Sequence, residues 1–286
     1  KSKDIPSDWC YVNNFVDPSR PRALRLPHGR GKEFKRDMRI LLEEATRDIT
    51  RAFESEEYFQ RLEEVSTESR REREKLFSDL NDRARDQGFL VQSTPVGVSL
   101  TPHNGGTPLT EEEMASISNA ERDRLREIQG KLENELKQLF SYLRSAERHV
   151  SDDIRHMDEQ IARYAMDSLI QELKSKYETL PEIEAYLNEI EADLVSNVDA
   201  FKAKPKDAQT SAAVPSHVAT NQVPWRYEVN VIVDNSQTLG APVVLEINPT
   251  HNNLLGRIDK ESQFGAIQTN LTMIRPGSLH RANGGF

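Results

Sequence analysis

Few side chains in this sequence stand at spacings that do chemistry. Gly29-Arg-Gly-Lys32 is the run closest to a phosphate cradle: glycines open the backbone, a lysine follows, and a helix start presents its positive end to an anion. A P-loop needs Gly-x-x-x-x-Gly-Lys-Ser/Thr after a strand, so that amides and lysine converge on the phosphates. This run is too short and lacks the hydroxyl residue, which leaves a solvated basic loop as the alternative to phosphate contact. Val229-Asn-Val-Ile-Val-Asp234 has the form of the apolar strand and acid that hold Mg²⁺ in nucleotide hydrolases. Asn235 follows where a catalytic glutamate is wanted, so a core strand ending in a turn suits these residues better.

Metal and nucleophile patterns are no fuller. His149 and His156 are seven residues apart, two helical turns or ~10 Å along an axis, too far to share one small ion. They are expected to be exposed. His251 and His280 fall in turn-rich sequence and could be ligands or bases, but neither sits in a ligand motif. There is no His-Glu-x-x-His and no Gly-x-Ser-x-Gly. The single cysteine, Cys10, lies in an apolar run, which predicts a buried, inert thiol and excludes an intrachain disulfide.

The elements that must position these residues are mostly helical. Asp8-Trp-Cys-Tyr-Val-Asn-Asn-Phe15 has the content of a short buried strand, stopped by Asp17-Pro18. A basic loop with Arg20, Arg22, Arg25, His28, Arg30 and Lys32 follows. From Glu33 to Phe53, Phe34, Met38, Leu41, Leu42, Ala45, Ile49 and Phe53 recur at helical spacing. A second helix is predicted from about Ser55, ending at Gly88 as a C′ residue. Two short strands, Phe89 to Thr94 and Val96 to Thr101, then interrupt the helices, and Gly105-Gly106 marks a turn. The apolar residues Leu90, Val91, Val96, Val98 and Leu100 of this small β element either form a surface that meets unfolded chains or cap the helices and bury one another.

Thr110 and Glu113 form a capping box that predicts the next helix start. From Leu125 through Ile128, Leu132, Leu136, Leu139, Leu143, Ala146, Val150, Ile154, Met157 and Ile161 to Tyr164, every step is three or four residues, about 3.5 on average. One helix is therefore expected from 110 to 180, ~95 Å long if it reaches Pro181, and it should project. Another is expected from Glu182 to Phe201. Residues 202–222 read as a mobile linker rich in Lys, Ala, Ser, Thr and Pro. Strands are predicted at Trp225 to Asp234 and at Ala241-Pro-Val-Val-Leu-Glu-Ile247. Turn-rich sequence fills the rest to Phe286.

Composition agrees with helices that bury narrow stripes. Of 286 residues, 30% are charged and 36% hydrophobic, too few apolar residues for one thick globule. Residues 1–40 carry ten Lys/Arg against five Asp/Glu, while residues 41–214 carry 23 against 37. The acidic middle argues against a nucleic-acid partner, because phosphate affinity comes from cations. No 18-residue apolar run or signal peptide occurs, so a cytoplasmic location away from membrane is expected. The chain opens on Lys1 and stops after Gly284-Gly285 at Phe286, which reads as an excised fragment.

Asn248-Pro249-Thr250, Asn253-Leu254, Gly256-Arg257-Ile258-Asp259, Gly265-Ala266, Thr269, Ile274-Arg275-Pro276-Gly277 and Leu279-His-Arg-Ala-Asn-Gly-Gly285 together resemble the AAA+ module of Lon-related ATP-dependent proteases. The segments Asp8 to Phe15 and Pro21 to Gly31 look like the early strand and loop of the same subfamily. Asp259, Ser278, His251 and Phe286 depart from its usual glutamate, alanine, aromatic and tyrosine. The resemblance implies an α-rich α/β fold. Residues 1–31 and 223–286 would form part of a P-loop-type parallel sheet, and 32–201 a coiled-coil helical insertion with its small β element at 89–106. It also implies an ATP-dependent Ser-Lys endopeptidase that degrades unfolded proteins as a homo-oligomeric ring, a hexamer. In that family the P-loop lies upstream of residue 1, the Mg²⁺-binding strand follows the Gly-Gly pair, and the peptidase lies downstream, so this fragment alone would bind neither ATP nor Mg²⁺ and be inactive. The loop from Arg257 to Thr269, with Gln263, Phe264, Gly265 and Ala266 at its tip, would face the ring's channel and grip unfolded polypeptide. A core phenylalanine is the other reading of Phe264. The helices by themselves would equally allow a non-enzymatic coiled-coil adaptor or scaffold.

Overall fold

The fold is known from a computed structural model that describes residues 5–94, 97–202, 225–263 and 266–283. In chain order the elements are β1 (Asp8–Val12), β2 (Arg22–Leu26), α1 (Arg30–Phe53), α2 (Glu56–Asp86), β3 (Phe89–Thr94), β4 (Gly97–Asn104), β5 (Thr107–Pro108), α3 (Glu111–Ser116), α4 (Asn119–Lys176) and α5 (Pro181–Ser196). After residues 203–224, which hold all of the predicted linker but Lys202 and lie outside the described residues, come β6 (Asn230–Val233), α6 (His251–Leu255), β7 (Arg257–Ile258), β8 (Glu261–Gln263), β9 (Ala266–Gln268), β10 (Ile274–Arg275) and α7 (Ser278–Arg281). Two compact units divide the chain: Lys1–Ser55 with Asp158–Phe286, and Glu56–Met157.

The first unit is built on the sheet β2-β1-β6. Alternation in β1 and β2 turns Cys10, Val12, Leu24 and Leu26 inward, each at most 1% exposed. Helix α1 buries Phe34, Met38, Leu41, Leu42, Ala45, Ile49 and Phe53, the stripe that its spacing predicts. Helix α5 adds Ile183, Tyr186, Leu187, Ile190, Leu194 and Val195. The chain is α-rich as expected, but both pairings in this sheet are antiparallel, so the predicted parallel sheet is not among the described strands. Connectivity accounts for the first pairing: only residues 13–21 join β1 to β2, fewer than a parallel crossover needs.

Two further strand expectations are corrected. Trp225–Tyr227 is a 3-10 turn, so β6 is shorter than predicted. Residues 241–247 form no strand; Val243, Leu245 and Ile247 are 94%, 85% and 88% exposed. Alternating apolar residues make a strand only beside a partner that takes their backbone hydrogen bonds, and no described strand pairs with this segment.

The second unit is an α2/α4 pair closed by β3, β4 and β5. Gly88 ends α2 at φ +83°, as its type predicts. Phe89 then lies fully buried with Ala84 and Leu132, and Val91 and Leu100 pack on them. Leu90 and Val98 are half-buried, and Val96 lies outside the described residues. This is the packing of a cap on the helices. The Thr110–Glu113 capping box is present, but it starts a helix that stops at Ser116; Ile117 is extended, and a new helix begins at Asn119. The predicted single helix is thus two. From Asn119 to Lys176, α4 runs unbroken. Its buried stripe does not end on Tyr164, which is 89% exposed; beyond Met157 it passes to Asp158, Ala162, Met166, Ile170, Leu173 and Tyr177. A repeat of 3.5 drifts around a helix of 3.6 residues per turn, and the neighbours decide which face is covered.

Candidate functional site: a rooted hairpin

The first candidate, Gly29 to Lys32, is occupied by the chain itself. Gly29 precedes α1 at φ +76°, and the Gly31 amide that opens the helix donates to Asp8 Oδ2 at 2.8 Å. Asp8 is fully buried, and its Oδ1 accepts the Asn235 amide at 2.8 Å. A side chain on Gly31 would press on Asp8 and Cys10. Lys32 pairs with Asp234 at 2.6 Å, Arg30 with Glu33 at 3.0 Å, and Arg22 with Glu189 at 2.9 Å. Burial pushes the Asp234 carboxyl up, but Lys32 and the Ser236 donors outweigh it and hold the carboxyl below its usual range. These residues do not fit a nucleotide with Mg²⁺: the amide, the lysine and the acid that could serve it are engaged with one another. Among the described residues no group of three His, Cys, Asp or Glu side chains could hold a metal ion. Cys10 is buried and its thiol is pushed up to about 12, first by burial and then by Asp8, so it is inert.

The second candidate is the hairpin 257–275. Its root is the pair β7/β10, with Ile258 opposite Ile274 and Arg257 opposite Arg275. Further out, β8 pairs with β9, and Gln263 stands opposite Ala266. Of the four predicted tip residues, these two face each other across the ladder; Phe264 and Gly265 lie outside the described residues. Asp259 fastens the root. Its carboxylate meets Arg275 Nε at 2.7 Å and Arg257 Nε at 2.9 Å, and those two guanidiniums, Arg275 foremost, hold it below the usual carboxylate range. Its amide donates to the Met273 carbonyl at 2.9 Å, and the Thr269 hydroxyl donates to its own carbonyl at 3.2 Å.

Two glycines let the flanking chains cross at the root. Gly256 sits at φ +91°, and a Cβ there would run into the Arg275 carbonyl; a Cβ on Gly277 would run into the Leu254 carbonyl and the Gly256 nitrogen. Thr250 caps α6 by accepting the Asn253 amide at 3.3 Å, and Asn253 Nδ2 donates to the Asn248 carbonyl at 2.9 Å. Ser278 donates to Glu246, whose carboxyl this bond and the Asn248 amide hold low. His251 heads α6, exposed, and His280 Nδ1 accepts the Gly277 amide at 3.3 Å, so neither stands in a ligand set.

The sequence reading missed Asp8, Glu246 and Asn230. Asn230 alone carried a signal, as the one polar residue in the run Val229 to Val233. Its Nδ2 donates to the Leu271 carbonyl at 2.8 Å and the Ile274 carbonyl at 2.9 Å. Ser278 sets its hydroxyl on the Glu246 carboxylate, but it is only 5% exposed. At the hairpin root Arg257 and Ile258 are exposed, on a base that Asp259 clamps.

Comparison with known families agrees with both ends of the chain. Residues 239–286, which contain the hairpin, match the family model described as a LonB-like AAA domain. Residues 8–41, covering β1, β2 and the start of α1, match the model described as a Lon-like LonC helical domain. No curated protein matches the chain.

Proposed function

We propose that this chain, Lon-related at both ends, is the substrate-capturing and threading portion of an ATP-dependent Ser-Lys endopeptidase that degrades unfolded or damaged proteins. Residues 1–31 and 223–286 belong in this reading to the AAA+ core, whose parallel sheet other segments of the parent would supply, and 32–201 to a helical insertion. The parent works as a homo-oligomeric ring, a hexamer, in the cytoplasm. Among the described residues no helix is long and apolar enough to cross a membrane. ATP and Mg²⁺ would be held by other segments of the parent and supply the work of threading; this chain's own part is to hold the polypeptide.

The observation that carries the reading is the hairpin 257–275, clamped by Asp259 between Arg257 and Arg275 within the LonB-like segment. A stiff root lets force reach a loop tip without being lost in bending. An aromatic next to glycine, as at Phe264-Gly265, can press on an extended chain without reading its sequence. The test is Phe264→Ala in the full-length protein. Degradation of an unfolded protein is expected to fall about tenfold, as for loss of an aromatic anchor, while cleavage of a short fluorogenic peptide stays unchanged. Unchanged degradation would remove the hairpin from the substrate path.

A further inference from the structure

The hairpin is tied to the sheet by a side chain from outside it. Asn230 opens β6 and is only 9% exposed, among Val229, Ile232 and Val233, which are buried. Both of its amide hydrogens are used, on the carbonyls of Leu271 and Ile274. Because both partners are carbonyls, the group facing them must be the NH₂ and not the oxygen. Those carbonyls bracket the 3-10 turn Leu271–Met273, which leads directly into β10 at the hairpin root. The chain just past the far end of β6 is fixed as well: the Asn235 amide is held by Asp8, Asn235 Nδ2 reaches the Ser7 carbonyl at 3.0 Å, and Asp8 also holds the first turn of α1. One short strand therefore joins the start of α1 to the base of the hairpin.

We propose that Asn230 is a positioning residue for the substrate-contacting hairpin: by bonding the Leu271 and Ile274 carbonyls it sets the hairpin's direction relative to β6, and so the affinity for an unfolded chain. The proposal rests on the reading above for what the hairpin touches. Few side chains can replace it. Aspartate has the same shape but no donor, and it would set a carboxylate oxygen against two carbonyl oxygens. Leucine fills the space but donates to neither: the Ile274 carbonyl loses this bond, and the Leu271 carbonyl keeps only the Ile274 amide.

The test compares Asn230→Asp and the milder Asn230→Thr, which keeps one donor, with the parent in the full-length protein. Hydrogen exchange at the Asp259 and Met273 amides is expected to quicken about tenfold in Asn230→Asp and less in Asn230→Thr, with the amides of β1, β2 and α1 unchanged as proof of folding. KM for an unfolded protein should rise in the same order while short-peptide cleavage keeps its rate, a split that general destabilisation would not give. Unchanged exchange at the root in both variants overturns the anchor. Faster exchange with unchanged KM, in a protein where Phe264→Ala does reduce degradation, overturns its positioning role. Faster exchange together with an inert Phe264→Ala sinks the proposed function of the hairpin and leaves the anchor standing as its support.

Discussion

At the scale of single residues, carboxylates and glycines do the positioning. Asp8 and Asp259 each join two separate backbone or side-chain donors, and Gly256 with Gly277 lets two strands of chain cross where a Cβ has no room. Gly256→Ala must both leave φ +91° and push aside the Arg275 carbonyl, which costs about 2 kcal/mol or more of local stability. Limited proteolysis checks it: cleavage within 257–275 is expected to quicken while fragments from α1 and α5 survive as before. A digestion pattern identical to the parent's would mean the crossing has slack. Of these residues, the glycines and Asp259 were legible beforehand as parts of a family-like motif, whereas the joining role of Asp8 was not. The partner of Asp8 lies 227 positions away at Asn235, and no local pattern encodes such a meeting.

At the scale of elements, periodicity foretold helices and their faces better than their contacts. Helix α2 shows why. Residues 66–75 are ten consecutive polar residues, yet they run beside Leu143, Ala146 and Val150 of α4, and the mismatch leaves a cleft of about 230 Å³ lined also by Ser66 and Ser69. What spans it is polar: Tyr142 donates to Glu72 at 2.7 Å, and Arg73 stands 3.8 Å from Glu147. Exposed pairs of this kind are worth little. On the other side, Phe77 meets Phe140 and Leu80 and Ala84 are buried, so the seam is apolar again. Amides of 66–75 are therefore expected to exchange on the order of tenfold faster than those of 76–84. Uniform protection along α2 in exchange mass spectrometry would show that the polar stretch is no weak point.

At the scale of the whole molecule, the chain divides into two units, each with buried apolar residues of its own, and among the described residues no three His, Cys, Asp or Glu side chains gather to hold a metal ion. The purified 286-residue chain is expected to release no phosphate from ATP with Mg²⁺ and to leave casein intact, because Lys32, the Gly31 amide and Asp234 are committed to internal partners. Magnesium-dependent turnover by the chain alone would overturn this. The sequence by itself determined the helix-rich class, the buried faces of α1 and α5, the inert cysteine and the Lon-like character of both ends, since hydrophobic spacing and motif residues are local properties. Tertiary structure alone decided which strands pair and in which sense, where α3 breaks from α4, why 241–247 is not a strand, and that Arg22 and Lys32 of the basic N-terminal loop meet Glu189 and Asp234. Each of these depends on a partner far off in the chain, and a hydrogen bond or ion pair exists only once folding has brought both ends of it together.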